Sequence, residues 1–559
     1  MSANNPIIIE NQKEGDENWG LTQPAIHREI EGYASRASVT YGESIALFVS
    51  TKSEQFSLTV FRMGWYNGKG ARQVLEPITL KGSHQEKIIA DPETGMVKCD
   101  WTASYALNIE QAWTAGVYLV KLEELKENKQ SYIIFVVRND AEPNDVLFQL
   151  PVTTYQAYNF WGGKSLYDWG SGSDTEWGTI DGARASKVSF DRPYIASNNP
   201  SAAFGMGAGE FLTNVQPVTT HGYPINSAAW DYNMVRWLER QGYHLGYTTS
   251  LDTHERPEQL LSTKVFLSQG HDEYWSYEMR KNVENARNQG TNLTFFSSNS
   301  MFWQVRFEKD SDQEEPRTMV CYKDSDMDPI KGERSTLNYR DIKELKGEAE
   351  IIGVQYIADP VIGDIKVSNA QHWIFEGTGL KNGDTLKGLL GYEVDSVCGD
   401  SPSNVEILGA TPAKKIDEYN TKYILTYMGA KIAGIFKSVG EKLIGVRIGN
   451  KALLAVMLVL GGFGSFVFIK FIGLPFLLAL IGLGALVMIL WFLKIYYSKN
   501  IVSNMTLYKA DSGAMVFSTG SMQWSWGLDD FNVGTLRKSY RSEQAEKITA
   551  NILDKFIGN

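Results

Sequence analysis

Three adjacent side chains capable of acid–base or metal chemistry, those of His271, Asp272 and Glu273, follow a short apolar run and a glycine. The segment KVFLSQGHDEYW predicts a buried strand, a tight turn at Gly270 and a helix beginning near Trp275. A histidine and a carboxylate two residues apart in a loop can act as a metal ligand and its partner, or as a pair that transfers a proton. The same pattern also fits a turn whose carboxylate caps the next helix. The spacing alone leaves both interpretations open.

Other polar and aromatic candidates stand near neighbouring strand ends. Asn299 follows the apolar run 292–296 and could donate a hydrogen bond to an oxyanion, although asparagine is also common in turns. Tyrosine rings more often supply packing area than ligands. Phenolates together with a carboxylate would nevertheless form a hard oxygen set, which suits a highly charged ion such as Fe³⁺. The tyrosines in question are Tyr155, Tyr158, Tyr167 and Tyr194.

The elements around these residues alternate between strands and helices. Strands are predicted at 146–150, 244–248, 265–267 and 292–296, and helices at 230–240, at 255–261 and after residue 275. Such alternation is typical of a right-handed parallel sheet. Loops at the carboxyl ends of parallel strands meet at one edge of the sheet, where ligands bind. We therefore expect the candidates to share one site.

The chain is too long for one core, and its patterning predicts an α+β multidomain protein. Residues 1–24 are polar and predict a disordered lead-in. Short alternating strands over 25–139 predict an immunoglobulin-like β-sandwich. Residues 145–430 predict the α/β domain with a parallel sheet, and 500–559 its remainder. The intervening segment, 431–499, predicts an interfacial helix followed by a transmembrane hairpin.

The hairpin prediction depends on two apolar runs, 452–469 and 471–493, which are broken only by Lys470 and by a Gly-Leu-Pro turn at 473–475. Each run is about long enough to cross a hydrocarbon core of ~30 Å as a helix. Lysines flank both sides, which predicts that both ends lie in the cytosol. The alternative is a pair of core helices. We thus expect a membrane-anchored protein, bound to the lipid bilayer through 452–493, with its soluble domains in the cytoplasm.

Composition excludes several classes of function. The formal net charge of −11 argues against a nucleic-acid partner. Three widely separated cysteines indicate neither a disulfide framework nor a zinc knuckle. Neither Cys321 nor Cys398 stands at a strand-to-helix elbow, so the sequence also argues against a cysteine nucleophile.

A series of motifs resembles the large (β) subunit of N,N-dimethylformamidase and the proteins that share its carboxyl-terminal domain. The resemblance covers about 30–410 and about 503–535. The motifs, in chain order, include FRMGWYNGKGAR, QLPVTTYQAYNFWGGKSLYD, KVSFDRPY, SQGHDEYWS, FFSSNSMFWQVRFE, GLLGYEVD and MQWSWGLDD.

This resemblance implies a glutamine-amidotransferase-like α/β domain beside an immunoglobulin-like domain, with a mononuclear Fe³⁺ held by two tyrosines and one glutamate. The glutamate falls on Glu273 and one tyrosine on Tyr194, while the other is Tyr158, with Tyr155 as the alternative. The motifs further place His271 beside the ligands and Asn299 behind them. They match Glu393 to a residue that assists proton transfer. The chain lacks room for the enzyme's additional amino-terminal β domain.

The implied activity is hydrolysis of a small amide, such as a formamide, to an acid and an amine. A homo-oligomer and a small subunit both remain open. The alternative is a non-catalytic, membrane-tethered protein that binds a ligand or carbohydrate through an aromatic rim. The rim would comprise Trp161, Trp169, Trp177, Trp524 and Trp526.

Overall fold

The protein is described by a computed structural model over residues 4–86, 88–168, 171, 183–197, 199–215, 227–309, 315–413 and 501–558. The chain divides into two compact units, one comprising Met1–Thr411 with Val502–Asn559 and the other Pro412–Ile501. The description below concerns the first unit, apart from the ends of two strands.

The amino-terminal part is a β-sandwich. Its two sheets have the strand orders β1-β3-β6 and β2-β8-β7-β4-β5. Alternate apolar residues of both sheets, among them Leu47, Val60 and Phe135, enter one shared core, because successive side chains of a strand point to opposite faces. The strands are β1 Ile30–Ala34, β2 Ser38–Thr40, β3 Ser44–Thr51, β4 Gln55–Met63, β5 Ala71–Lys81, β6 Tyr105–Asn108, β7 Gly116–Glu124 and β8 Gln130–Arg138.

An ordered helix, α1 (Pro6–Asn11), lies within the segment expected to be a disordered lead-in. Asn5 caps it by accepting a hydrogen bond from the backbone N–H of Ile7, and the proline stands in the first turn, where its missing N–H is harmless. Ile7 and Glu10 are fully buried. The polar composition of this segment gave no sign that these two side chains would be buried.

A seven-stranded sheet of order β11-β9-β12-β14-β21-β20-β19 forms the centre of the α/β part. Strands β11, β9, β12, β14 and β21 run parallel, and β20 is antiparallel to β21. Two smaller sheets have the orders β10-β16-β15-β13 and β17-β18. The strands are β9 Asn144–Leu150, β10 Lys187–Ser189, β11 Leu245–Thr249, β12 Thr263–His271, β13 Tyr274–Ser276, β14 Asn292–Ser298, β15 Trp303–Glu308, β16 Thr318–Val320, β17 Gln355–Lys366, β18 Thr385–Ser396, β19 Glu406–Ala413, β20 Ile501–Lys509 and β21 Met515–Ser518.

Three helices of this part, α4, α6 and α8, begin at side-chain caps, and the longer helices bury apolar faces. Thr249 caps α4 in a capping box with Asp252, and Ser276 caps α6. Met279, Val283 and Ala286 of α6 recur at helical spacing and are fully buried in the core beside the sheet. The helices are α2 Val152–Tyr158, α3 Asp231–Gln241, α4 Ser250–Glu255, α5 Pro257–Leu261, α6 Tyr277–Asn288, α7 Ala349–Ile352 and α8 Glu543–Ile557.

A buried ion pair joins the sandwich to the α/β part. Arg62 on β4 donates two hydrogen bonds to Glu239 on α3, at 2.6 and 3.0 Å, and both side chains are fully buried. Arg62 also bonds to the Ala115 carbonyl and the Tyr66 hydroxyl, and the Tyr66 hydroxyl donates to Glu10. We call Arg62, Glu239, Tyr66 and Glu10 the junction cluster. Arg72 donates a further hydrogen bond to Glu10 at 2.6 Å. With Arg72 included, the two positive charges of Arg62 and Arg72 face the two negative charges of Glu239 and Glu10.

The prediction of a transmembrane hairpin requires correction. No helix within the described ranges is long and apolar enough to cross a membrane. The two predicted spans, 452–469 and 471–493, lie outside the described residues, as does the predicted interfacial helix. What the structure supports is a mixed α/β protein with several sheets and few helices. The expectations of a membrane anchor, of contact with the lipid bilayer and of a membrane-anchored location are therefore corrected, since nothing in the described ranges supports them.

Candidate active site

The loop after β12 carries the predicted HDE motif into the protein interior. His271, Asp272 and Glu273 are 2%, 0% and 3% exposed. Gly270 has a φ of +62°, and a Cβ there would lie 2.8 Å from the Cβ of Trp230, so glycine suits this turn. The strand end and its loop therefore agree with the prediction that these residues share one edge of the sheet.

Two tyrosine hydroxyls converge on the Glu273 carboxylate. The Tyr158 hydroxyl, at the end of α2, donates to Glu273 Oε2 at 2.7 Å. The Tyr167 hydroxyl lies 3.1 Å from both carboxylate oxygens and 2.8 Å from the Tyr158 hydroxyl. Burial, and then the negative charge of Glu273, raise the pKa values of both phenols well above their ordinary value. We call Glu273, Tyr158 and Tyr167 the oxygen cluster.

A chain of hydrogen bonds extends from this cluster to a lysine. The Tyr274 hydroxyl donates to the Tyr167 hydroxyl at 2.6 Å, and Lys323 Nζ donates to the Tyr274 hydroxyl at 2.7 Å. Lys323 Nζ also lies 3.5 Å from the centre of the Tyr167 ring, a cation–π distance. Burial lowers the pKa of Lys323 to about 8. The lysine thus places an amino group directly against the Tyr167 ring.

A histidine bridges two carboxylates on the other side of Glu273. His271 Nε2 lies 3.3 Å from Glu273 Oε2 and 3.3 Å from Glu393 Oε2. Burial opposes the charged imidazole, but Glu393 and Glu273 outweigh burial and raise the pKa of His271 well above its ordinary value. Burial raises the pKa of Glu393, while hydrogen bonding and the charge of His271 bring the pKa of Glu273 below its usual value despite burial. The three groups can therefore share and move a proton.

Asp272 and Asn299 support the loop. Asp272 accepts hydrogen bonds from Gln149 at 2.6 Å and Ser268 at 3.0 Å, and burial raises its pKa to about 6. The backbone N–H of Asn299 donates to Asp395 at 2.9 Å, and Asn299 adopts a φ of +54°, which asparagine tolerates better than most residues. Asn299 therefore stands at the neighbouring strand end, as predicted, without a contact to Glu273 among the described residues.

Tyr155 and Tyr194 occupy a different position. The Tyr155 hydroxyl donates to Asp231, and the centres of the Tyr155 and Tyr194 rings are 6.3 Å apart. Neither hydroxyl contacts Glu273 in the described part of the chain. The structure thus brings Tyr158, Tyr167, Glu273, His271 and Glu393 together, and no contact joins Tyr194 to Glu273 within the described residues.

The sequence places Tyr167 among four phenols that could form an oxygen ligand set, but it gives no role to Tyr274 or Lys323. Tyr274 follows Glu273 directly in the HDEYW run, and this adjacency is the signal that could have found it. Lys323 has no such signal, because only the pairing of β15 and β16 brings the chain that follows β16 towards the loop after β12.

The donor set fits a hard metal ion. In the described ranges, no three His, Cys, Asp or Glu side chains are grouped so as to hold a metal, so a metal at this position would depend on phenol oxygens. The oxygen cluster supplies two phenols and a carboxylate whose oxygens lie 2.7 to 3.1 Å apart. A carboxylate together with phenols, whose protons a bound cation would displace, suits oxophilic cations.

The described residues of the predicted aromatic rim are buried and do not form a surface feature. Trp161, Trp524 and Trp526 are 3%, 0% and 2% exposed. Their rings therefore serve the core instead of an open binding face. Trp169 and Trp177 lie outside the described residues.

The end of a parallel α/β sheet, with its buried carboxylates, histidine and tyrosines, forms a candidate acid–base site. The chain belongs to the family described as N,N-dimethylformamidase beta subunit-like, C-terminal, whose model matches residues 57–541. This confirms the resemblance seen in the motifs and supports an amidohydrolase-like function at the level of the family.

Other comparisons add little. No curated protein matches the chain. Among solved structures, the crystal structure of murine CEACAM1b is 13% identical, with coverage of 22% of this chain and 63% of that chain and a TM-score of 0.12. The likeness spans less than two thirds of that chain, and a TM-score this low carries no argument about the fold.

Proposed function

We propose that the protein is an iron-dependent amidohydrolase that converts a small amide, such as a formamide, to a carboxylic acid and an amine. The observation that carries this proposal is the oxygen cluster, which lies beside the proton-sharing pair His271 and Glu393. Membership of the family supports the reaction class. Iron and the substrate are our inference from the donor set and the resemblance.

Glu273, Tyr158 and Tyr167 would hold the ion. The resemblance favours Tyr194 as the second tyrosine, but the distances favour Tyr167, whose hydroxyl is 3.1 Å from Glu273. When bound, Fe³⁺ would act as a Lewis acid that polarises the amide carbonyl and lowers the pKa of a bound water.

The protein's own groups would manage the protons. Water adds its oxygen to the carbonyl carbon, the C–N bond breaks, and the departing amine takes a proton. His271 Nε2, between two carboxylates, can hold that proton, and Glu393 Oε2 can accept it from water and return it to the nitrogen. The Asn299 side chain could donate a hydrogen bond to the developing oxyanion.

The first test is metal content and the visible spectrum of the purified full chain. We expect about one iron per chain and a tyrosinate-to-iron charge-transfer band. Tyr167→Phe should shift or remove the band, whereas Tyr194→Phe, the matched control, should leave it unchanged. The reverse result would restore Tyr194 as the ligand. Folded protein that takes up no iron would overturn the proposal.

A second test measures amide hydrolysis directly. Iron-loaded protein should release amine from at least one small amide, and Glu393→Gln should reduce kcat by about 10²- to 10⁴-fold, the usual contribution of a positioned acid or base. Unchanged kcat in Glu393→Gln would contradict the role given to Glu393.

A further inference from the structure

Hydrogen bonds hold Glu273 at three points. Its backbone N–H donates to the Thr154 hydroxyl at 2.9 Å. Its carbonyl accepts from the backbone N–H groups of Phe302 and Trp303 at 2.9 and 3.0 Å. Its carboxylate accepts from the Tyr158 hydroxyl at 2.7 Å. Both the backbone and the side chain of this residue are therefore fixed.

Two of these three points come from one face of helix α2. Thr154 and Tyr158 are four residues apart, and residues at this spacing lie one above the other on the same side of a helix. Thr154 bonds to the backbone of Glu273, while Tyr158, one turn further along, bonds to its carboxylate. Four residues of helix rise about 6 Å, so α2 sets the separation between the two contacts.

The Thr154 hydroxyl also reaches the next residue of the chain. The backbone N–H of Tyr274 lies 3.4 Å from Thr154 Oγ1, and the neighbouring Thr153 hydroxyl donates to the Tyr274 carbonyl at 2.8 Å. The Tyr274 hydroxyl in turn donates to the Tyr167 hydroxyl. The first turn of α2 therefore holds both Glu273 and Tyr274, whose side chains contact the phenols of the oxygen cluster.

Helix α2 is itself held at both ends. All seven of its residues are buried. At the carboxyl end, Arg192 donates to the carbonyls of Gln156 and Asn159 at 3.4 and 2.8 Å. At the amino end, the backbone N–H of Thr153 donates to the Ser250 hydroxyl of α4 at 3.1 Å. Because groups on rigid elements orient ligands more precisely than groups on loops, α2 is suited to positioning Glu273.

We propose that Thr154 is a positioning residue that presents the Glu273 carboxylate to the metal, through the hydrogen bond between its hydroxyl and the Glu273 N–H. This inference rests on the proposed function and extends it to a residue outside the ligand set. The fold itself arranges the oxygen cluster, because Thr154 and Tyr158 hold the two ends of Glu273. Removal of a group that orients a metal ligand typically lowers metal affinity by about 10- to 100-fold.

The test compares Thr154→Val with Thr154→Ser in the full chain. Valine has nearly the shape of threonine but no hydroxyl, so the Glu273 N–H loses its acceptor, whereas serine keeps that acceptor. We expect Thr154→Val to lower the affinity for Fe³⁺, measured by competition with citrate, by about 10- to 100-fold. Thr154→Ser should stay within about 3-fold of wild type, because the hydroxyl is retained.

Thr411→Val is the control for the loss of a buried threonine hydroxyl. Thr411 is 7% exposed, and its hydroxyl also accepts from a backbone N–H, that of Lys366 at 2.8 Å. Thr411 lies on β19, at the edge of the seven-stranded sheet. Its variant should keep the wild-type iron affinity and tyrosinate-to-iron band, whereas the band should shift in Thr154→Val. A Thr154→Val variant whose affinity and band equal those of Thr411→Val would overturn the positioning role.

Hydrogen exchange provides a readout that needs no metal. In folded protein stripped of metal, NMR should show the Glu273 backbone amide exchanging at least about 10-fold faster in Thr154→Val than in wild type. Thr154→Ser and Thr411→Val should retain nearly the wild-type rate at that amide. Unchanged exchange of the Glu273 amide in Thr154→Val would also overturn the inference.

The outcomes separate this inference from the proposed function. Folded wild-type protein that takes up no iron would overturn the proposed function and the positioning role with it. Iron uptake and amide hydrolysis by wild type, together with unaltered iron binding in Thr154→Val, would overturn the positioning role and leave the amidohydrolase standing.

Discussion

The protein buries charge in two places, and the two differ in how the charge is satisfied. In the junction cluster, Arg62 faces Glu239 and Arg72 faces Glu10, with hydrogen bonds of 2.6 Å in each pair. At the candidate site, two carboxylates share one histidine, and Glu273 Oε2 and Glu393 Oε2 each lie 3.3 Å from His271 Nε2. The first cluster pairs two cations with two carboxylates, whereas the second pairs one histidine with two carboxylates.

The difference indicates different roles. A buried ion pair with all its hydrogen bonds made holds parts of a fold in a fixed relation, although hydrophobic residues could often replace it at little cost. Buried titratable groups whose pKa values are strongly shifted by one another cluster at functional sites. Stability measurements should therefore respond strongly at the junction and weakly at the site.

The largest loss of stability is expected for Arg62→Met. Glu239 would remain fully buried without its partner, and breaking such a pair costs about 3–5 kcal/mol. Urea denaturation measures the free energy of unfolding. The control is Arg334→Met, which removes a surface ion pair. The side chains of Arg334 and Glu278 are 40% and 37% exposed, so the loss of this pair should lower the free energy of unfolding by less than about 1 kcal/mol. Equal losses of unfolding free energy in the two variants would contradict the prediction that the buried pair stabilises the fold more than the surface pair.

Arg192→Met should have the next largest effect. Arg192 is 1% exposed and donates to four backbone carbonyls of the segment that carries Tyr158, those of residues 156, 159, 161 and 164. Losing these donors should cost about 2–3 kcal/mol. Because the same bonds hold that segment, iron affinity should also fall, and Arg192→Lys should restore part of both. A stable variant with normal iron affinity would contradict this positioning role.

The pH dependence of stability should have opposite signs in the two regions. Burial raises the pKa of Asp395 to about 7, against about 3.9 in an unfolded chain. Between these values only the folded state keeps the proton, so stability falls as the pH rises from about 4 to 7. Asp395→Asn should flatten this slope by about 1 kcal/mol per pH unit.

At the junction the sign reverses. Burial would raise the pKa of Glu10, but Arg62, Arg72 and Lys13 lower it to about 2. Its contribution is present above the unfolded pKa of about 4.3 and is lost as the pH falls towards 2. Urea denaturation of Glu10→Gln across pH 2 to 5 should show the loss of this acid sensitivity. An unchanged acid limb would mean that Glu10 does not titrate as described.

The smallest effect on stability is expected for Glu273→Gln, despite complete loss of iron. Removing one of two carboxylates leaves His271 paired with Glu393, so the free energy of unfolding should change by less than about 1 kcal/mol. Metal analysis on the same sample should show no bound iron. A loss as large as that of Arg62→Met would place Glu273 among the structural charges, and full iron occupancy would remove it from the ligand set.

Local pattern predicted much of the framework. The apolar run before Gly270 became β12, but the strand continues through Gly270 and His271 where a turn was expected, so only Asp272 and Glu273 stand in the loop. Strand β11 and helix α3 also lie within a residue or two of their predicted bounds. These elements are determined by periodicity and turn residues, which act over short sequence distances.

Contacts between distant segments could not be predicted in this way. Tyr167 meets Glu273 across 106 residues and Arg62 meets Glu239 across 177. Polar composition was also misleading at α1, because Asn5 and Glu10 are buried by partners that lie far along the chain. Such pairings depend on tertiary packing, which propensity does not encode.

The completion of the sheet by late residues bears on how the protein is made. Ser521 holds the strand of Glu393 by accepting from the Gly391 N–H at 3.0 Å and donating to the Leu389 carbonyl at 2.6 Å, and β21 pairs directly with β14. During synthesis the sandwich can fold early, since domains fold as the chain emerges. The sheet cannot be completed until more than two hundred further residues, those between β14 (ending at Ser298) and β21 (beginning at Met515), have been translated. Throughout that interval the edge of β14 is exposed, so a chaperone that shields strand edges would benefit this protein most while it is still on the ribosome.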